Sequence, residues 1–244
     1  MSEERVVNQT IQPLTRTLLK EKLHTLGVRA GMTVLVHSSM SRLGWICGGP
    51  VAVIQGLQDV LTPSGTLVMP THTANLSDPK EWGNPAVPEG WWKEIRKEMP
   101  AFDPQVTPTY FMGHIAETFR TMPGVCRSNH PRYSFAAWGN HAEEVVRNHS
   151  LDYGMGEDSP LGRIHERDGY VLLLGVGYEN NTSMHLGEHR SGCYSTLTKE
   201  SPILENGTRV WKSFADLDYD DEQFPSIGKT FAKNYPVSEE KMGS

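Results

Sequence analysis

The stretch from Thr33 to Thr73 constrains the fold most. "TVLVHSS" is a short apolar run ending in small hydroxyl residues, the pattern of a buried strand entering a turn. "GGPVAVIQGLQDVLTPSG" follows as a helix, with Pro50 at a tolerated first-turn position and a Pro-Ser-Gly stop. "TLVMPTHT" is a second strand, broken by Pro70. Strand, helix of crossover length and strand in this order are the signature of a parallel unit, because parallel neighbours need a long connection. Such a unit belongs to an α/β sheet with helices against its faces.

The same periodicities extend along the chain. "TRTLLKEKLHTLGV" carries Leu18, Leu19, Leu23 and Leu26 at helical spacing, with Thr15 placed to cap it and Gly27 to end it. "GYVLLLGVG" is the clearest strand, and its near-continuous apolarity predicts a central, buried one. Helices are expected near "MGHIAETFRTM", over "HAEEVVRNH" and from "DSPLGRIHER", where Ser159 caps and Pro160 takes the first turn; a strand is expected near "YSFAAWG". Residues 74–109, dense in Pro and Trp, read as a long excursion with one helix near "EGWWKEIRKE"; long loops in compact domains tend to be functional. The tail "TRVWKSFADLDYDDEQF" reads as a strand leading into an acidic loop. No repeat or linker interrupts the chain, so a single domain over 1–244 is expected.

Charge and composition remove several functions. The 244 residues carry a net charge of −6 and no Lys/Arg-rich run, which disfavours a nucleic-acid partner. "MSEERVVNQT" lacks the order of a secretory signal, and "YVLLLGVGY" is too short to span a bilayer, so no membrane association is expected. Cys47, Cys126 and Cys193 are odd in number and contain no CxxC, which predicts a reducing cytoplasm and no thiolate metal site.

"HLGEH", His185 to His189, admits two chemistries. The HxxEH order is that of an inverted zinc-hydrolase motif, which needs a long helix and a third ligand; here Gly192 favours an early helix end. In the other reading His185 is a general base just past the carboxyl end of a strand, where open α/β sheets place ligands. Glu188, three residues on, shares its helix face and biases the imidazole. The amides opening that helix offer positive potential to an anionic group. His37 ends another strand, and Ser38, Ser39, Ser41 and Gly44 after it form a loop suited to a phosphate or a pantetheine amide. The chain has no P-loop, no GxGxxG and no G-x-S-x-G elbow.

Taken in order, "VHSSMSRLGWICGGPVAVIQGLQDVLTPSGTLVMPTHT", "RSNHPRYSFAAWG", "DSPLGRIHERDGYVLLLGVGYENNTSMHLGEHR" and "DLDYDDEQF" resemble the aminoglycoside N3-acetyltransferase family. The resemblance runs from about residue 10 to the end. It implies transfer of acetyl from acetyl-CoA, as co-substrate, to the 3-amino group of an aminoglycoside, with no metal required. It implies that family's own α/β fold, a mixed central sheet flanked by helices, and not the GNAT fold, whose Q/R-x-x-G-x-G/A loop is missing here. Carried over by position, it makes His185 the catalytic base with Glu188 beside it. His37, Ser38 and Ser39, with Arg127, Ser128 and His130, become coenzyme and active-site wall, and Thr71 and Thr73 lie at the cleft floor. Longer members continue into a further C-terminal helix, which the end "VSEEKMGS" is expected to lack.

The chemistry is coherent on its own terms. An ammonium must lose a proton before its nitrogen attacks a thioester, and a neutral imidazole accepts it near neutral pH. The thioester oxygen needs donors for its developing charge, and the Thr71 or Thr73 hydroxyls or the amides near Ser38 all qualify. Direct transfer is expected, since no Cys or Ser sits in a nucleophile setting. A cationic acceptor calls for carboxylates, available in Asp78, Glu81, Glu157, Asp158, Asp218, Asp220 and Asp221, while Trp45, Trp91 and Trp92 offer packing for rings. The alternatives are another small amine as acceptor, a zinc hydrolase using His185 and His189, and a non-catalytic CoA- or sugar-binding protein. Oligomeric state is not legible.

Overall fold

The computed structural model describes residues 3–241. The chain begins with α1 (Glu3–Gln9), α2 (Arg16–Thr25), β1 (Thr33–Ser38), α3 (Gly49–Leu61) and β2 (Thr66–Pro70). After the excursion holding α4 (Trp92–Glu98) come α5 (Gly113–Arg120), β3 (Cys126–Arg127), β4 (Phe135–Gly139), α6 (Ala142–Val146) and α7 (Pro160–His165). Then follow β5 (Tyr170–Leu174), α8 (Met184–Ser191), β6 (Thr196–Glu205), β7 (Thr208–Leu217) and α9 (Phe224–Asn234).

Several boundaries follow from local chemistry. The Thr15 hydroxyl accepts from the Leu18 amide to open α2, and Ser159 accepts from Leu161 to open α7 with Pro160 in its first turn. Gly192, at φ 65°, closes α8 in the left-handed conformation that glycine adopts without a Cβ penalty.

The strand order is β3-β4-β2-β1-β5. β1 runs parallel to β2 and β5, and β4 is antiparallel to both β2 and β3. This is a mixed α/β sheet, as expected. One apolar core joins the sheet to α2, α3 and α5 through Leu19, Leu23, Ile54, Leu57, Ile115 and Phe119. The other joins it to α6, α7 and α8 through Leu35, Val68, Val145, Leu161 and Leu186. Since β1 leaves toward β2 through α3 while β5 lies on its other side, the loops after β1 and β5 diverge at the carboxyl edge. That divergence opens the crevice where α/β folds bind ligands.

One expectation is corrected, and two further elements lie in the tail. β5 pairs with β1 alone at the sheet edge, and Tyr170 and Val171 are exposed; only Leu174 is deeply buried. Apolarity marked a strand there but says nothing of how many neighbours it has. The tail strand β7 has a partner, β6, in an antiparallel hairpin of its own, turned by Asn206 at φ 52° and Gly207 at φ 76°. The acidic loop is followed by a further helix, α9, whose Gly228 lets the Tyr178 ring approach so closely that an added Cβ would lie 2.1 Å from it. No helix among the described residues is long and apolar enough to cross a membrane.

Candidate active site

Two adjoining compartments of about 400 and 410 Å³ open at the carboxyl edge of β1, β2 and β5. Ser38, Phe111, Met112, Glu179 and Asn180 line both and mark their junction. The first compartment holds His37, His72, His185, Tyr133, Tyr219, Asp221 and Phe224. The second holds Ser39, Ser41, Arg42 and the amino end of α5 at Gly113 and His114.

His185 stands in the first turn of α8. Its Nδ1 lies 2.5 Å from Oε2 of Glu188, whose side chain is buried. The three-residue spacing puts both groups on one helix face. Oε1 of Glu188 accepts the Asp220 amide at 2.9 Å, so one carboxylate orients the imidazole and tethers the acidic loop. The Tyr219 and Phe224 rings flank His185 with centroids 4.8 Å away. Burial pushes the Tyr219 hydroxyl pKa up, as does the Asp216 charge; Asp216 is itself raised by burial. Tyr219 is therefore a neutral wall beside the imidazole.

His37 and His72 share this compartment. Burial, reinforced by the charge of His185, pushes each down to about 3. An imidazole with so weak an affinity for protons makes a poor base at neutral pH. Ser38 and Ser39 lie along the cleft as well.

The other residues singled out in the sequence lie outside the lining. The Thr73 hydroxyl donates to the Pro131 carbonyl at 2.5 Å, and Thr71 Oγ1 lies 3.2 Å from Ser134 Oγ and accepts from Arg127 Nε at 3.1 Å. Arg127 ties the excursion to β2, donating to the carbonyls of Thr71 at 2.7 Å and Thr107 at 2.5 Å; burial lowers it to about 10. Ser128 Oγ accepts the Phe135 amide and bonds Nδ1 of His149 at 2.9 Å. His130 Nδ1 accepts the Arg132 and Tyr133 amides, leaving Nε2 to donate to the Leu151 carbonyl.

The acids divide similarly. Asp78 is fully buried in a two-bond pair with Arg96, at 2.8 and 2.7 Å. Burial raises its pKa, but the bonds from Arg96 and the Lys80 amide outweigh this and hold it at about 2. Glu157 pairs with Arg190 at 2.6 Å, and Asp158 and Asp218 are exposed beyond the lining. Glu179 and Asp221 are the carboxylates on the cleft. Asp221 was among the tail acids, whereas Glu179 carried no signal of its own. α9 places Glu179 by packing Gly228 against the neighbouring Tyr178.

In the HxxEH stretch, Glu188 is bonded to His185, while His189 packs on the Tyr153 ring at 5.5 Å. Among the described residues no group of three His, Cys, Asp or Glu side chains is placed to hold a metal ion.

An α/β fold with a carboxylate-oriented imidazole in one of two adjoining compartments at the carboxyl edge of its sheet offers a proton acceptor beside room for two ligands. The family model for aminoglycoside 3-N-acetyltransferases matches residues 35–244, and the chain belongs to that family. It is 48% identical over 99% of its length to 89% of the SPbeta prophage-derived aminoglycoside N(3')-acetyltransferase-like protein YokD of Bacillus subtilis (strain 168). The YokD crystal structure superposes with a TM-score of 0.97, covering 99% of this chain and 90% of that one. Aminoglycoside N(3)-acetyltransferase IX of Micromonospora chalcea is 37% identical, covering 92% of this chain and 80% of its own. The structure described as AAC-IIIb binary with CoASH is 30% identical, with a TM-score of 0.84 over 95% of this chain and 89% of that one. These neighbours are not GNAT proteins.

Proposed function

We propose that the protein transfers the acetyl group of acetyl-CoA directly to an amine of an aminoglycoside, at the 3-amino group as the family name has it, with His185 as general base. The observation that carries this is the 2.5 Å His185–Glu188 pair in a compartment that adjoins a second of similar size. Two substrates require two compartments that meet where the reacting atoms meet.

With Nδ1 directed at Glu188, Nε2 is the ring nitrogen left for work in the cleft. It takes the proton that the acceptor ammonium must shed before its nitrogen can attack. Glu188 holds the ring in the needed tautomer and stabilises the imidazolium; such proton transfer contributes about 10²–10⁴-fold. In the second compartment the hydroxyls of Ser38, Ser39 and Ser41 suit the amides of a pantetheine arm, and Arg42 suits a phosphate. Glu179 and Asp221 face the first compartment's occupant with negative charge, which suits a polycation, and Phe111 and Tyr219 offer faces for sugar rings.

The reading is tested by following thiol release from acetyl-CoA over a panel of aminoglycosides and simple amines. Release that depends on an aminoglycoside supports it. Silence over the whole panel, with no rise in melting temperature on adding coenzyme, rejects it.

A further inference from the structure

We propose that His37 and His72 act together as neutral N–H donors to the oxygen of the acyl group under attack. This deepens the acetyl-transfer reading of the cleft and rests on it.

Both rings come from the carboxyl edge of neighbouring parallel strands, His37 near the end of β1 and His72 two residues beyond β2. Both line the compartment of His185. The Nε2 atom of each is buried and has no protein hydrogen-bond partner. Buried polar atoms are nearly always paired, so these two exceptions, with the Tyr219 hydroxyl as a third in the same cleft, point to a partner supplied by the substrate. His72 is held edge-on by Tyr133 and Phe135, with centroids 5.7 and 5.3 Å away, and its carbonyl accepts the Tyr110 amide at 2.8 Å. It is a fixed donor rather than a mobile one.

The threonine hydroxyls and the Ser39 amide are engaged elsewhere. The Thr73 hydroxyl donates to Pro131, Thr71 is bonded within the Ser134–Arg127 cluster, and the Ser39 amide donates to the Leu174 carbonyl. The burial that disqualifies His37 and His72 as bases keeps both uncharged at neutral pH, so neither repels a cationic acceptor.

The step balances without another reactant. The amine lone pair forms the C–N bond while the carbonyl π pair moves onto oxygen, where the two Nε2–H groups donate. His185, having passed the ammonium proton on to solvent, takes the second proton from the nitrogen as the C–N bond forms. When the carbonyl re-forms, the C–S bond breaks and the departing thiolate receives the proton from His185.

The experiment compares His72→Phe, which removes the donor, with His72→Gln, which supplies an amide N–H. His72→Phe should lower kcat about 100-fold or more, as loss of one such donor does, and leave the acetyl-CoA KM within a few-fold. His72→Gln should recover much of the loss at an equal melting temperature, and the acid limb of the pH–rate profile should stay where it lies in the wild type. Equal losses in both variants, wild-type kcat in His72→Phe, or a displaced acid limb would each overturn the donor role. If His72→Phe does not fold, His37→Leu against His37→Asn applies the same criteria. A wild-type protein that acetylates no amine rejects the transferase reading instead, which separates the two failures.

Discussion

Acidification from pH 6.5 to 5.5 should remove about 4 kcal/mol of folding stability. Four histidines are buried and neutral: His37 and His72 are pushed down to about 3, His149 to about 4, and His130 well below its ordinary value, with burial the largest cause each time. In the unfolded chain each takes up a proton near pH 6.5. Below that pH the unfolded state binds more protons, so stability falls as pH falls from 6.5 toward the folded values. Each group contributes about 1 kcal/mol over the first unit and approaches about 1.4 kcal/mol per unit below it. Four together rival a sizeable part of the roughly 5–15 kcal/mol that separates folded from unfolded states. The raised Asp216 acts in the opposite sense, but it is one group against four. The depressed Asp78 contributes stability that is lost only as pH falls below the ordinary carboxylate range, so it does not enter this window. Urea midpoints measured from pH 7.5 to 5 give the slope, and His72→Gln should reduce it by about one proton's worth. A free energy that stays flat between pH 7 and 5.5 would refute the assignment of these rings as neutral and buried.

Other perturbations separate the roles of the carboxylates. Glu188→Gln should lower kcat about 10- to 100-fold without changing coenzyme affinity, because an amide orients the ring but does not stabilise its charge; an unchanged kcat would remove Glu188 from the mechanism. Asp78→Asn should cost about 2 kcal/mol in urea titrations, the value for a buried pair discounted because Arg96 is about a third exposed. Its acceptor KM should not change, and a raised KM with intact stability would make Asp78 an acceptor ligand. Glu179→Gln and Asp221→Asn should each raise the aminoglycoside KM several-fold, more so at low salt; insensitivity in both would move the cationic site elsewhere.

The parallel β1–α3–β2 unit was legible because helical and strand periods are local properties of the chain. The Glu188 contact was legible for the same reason, since three helical residues set it. What depends on distant neighbours was hidden. Nothing within "YVLLL" says that β5 lies at an edge, and nothing near Asp78 announces that Arg96 neutralises it. The family resemblance makes the RSNHP segment coenzyme and active-site wall, whereas Ser128 bonds the Phe135 amide and His149, and His130 bonds the Leu151 carbonyl. The β6–β7 hairpin carries a local signal, Asn206-Gly207 between two strand-like runs. His72 was visible only as a letter within "PTHT". Its importance comes from burial beside His37 and His185, which requires β1 and β2 to be adjacent.

The central claim is that the His185 imidazole takes the proton from the attacking amine, and turnover of His185→Gln tests it most directly. The account predicts a fall in kcat of at least about 100-fold, with acetyl-CoA still raising the melting temperature as it does in the wild type. Turnover close to wild type in that variant would contradict it.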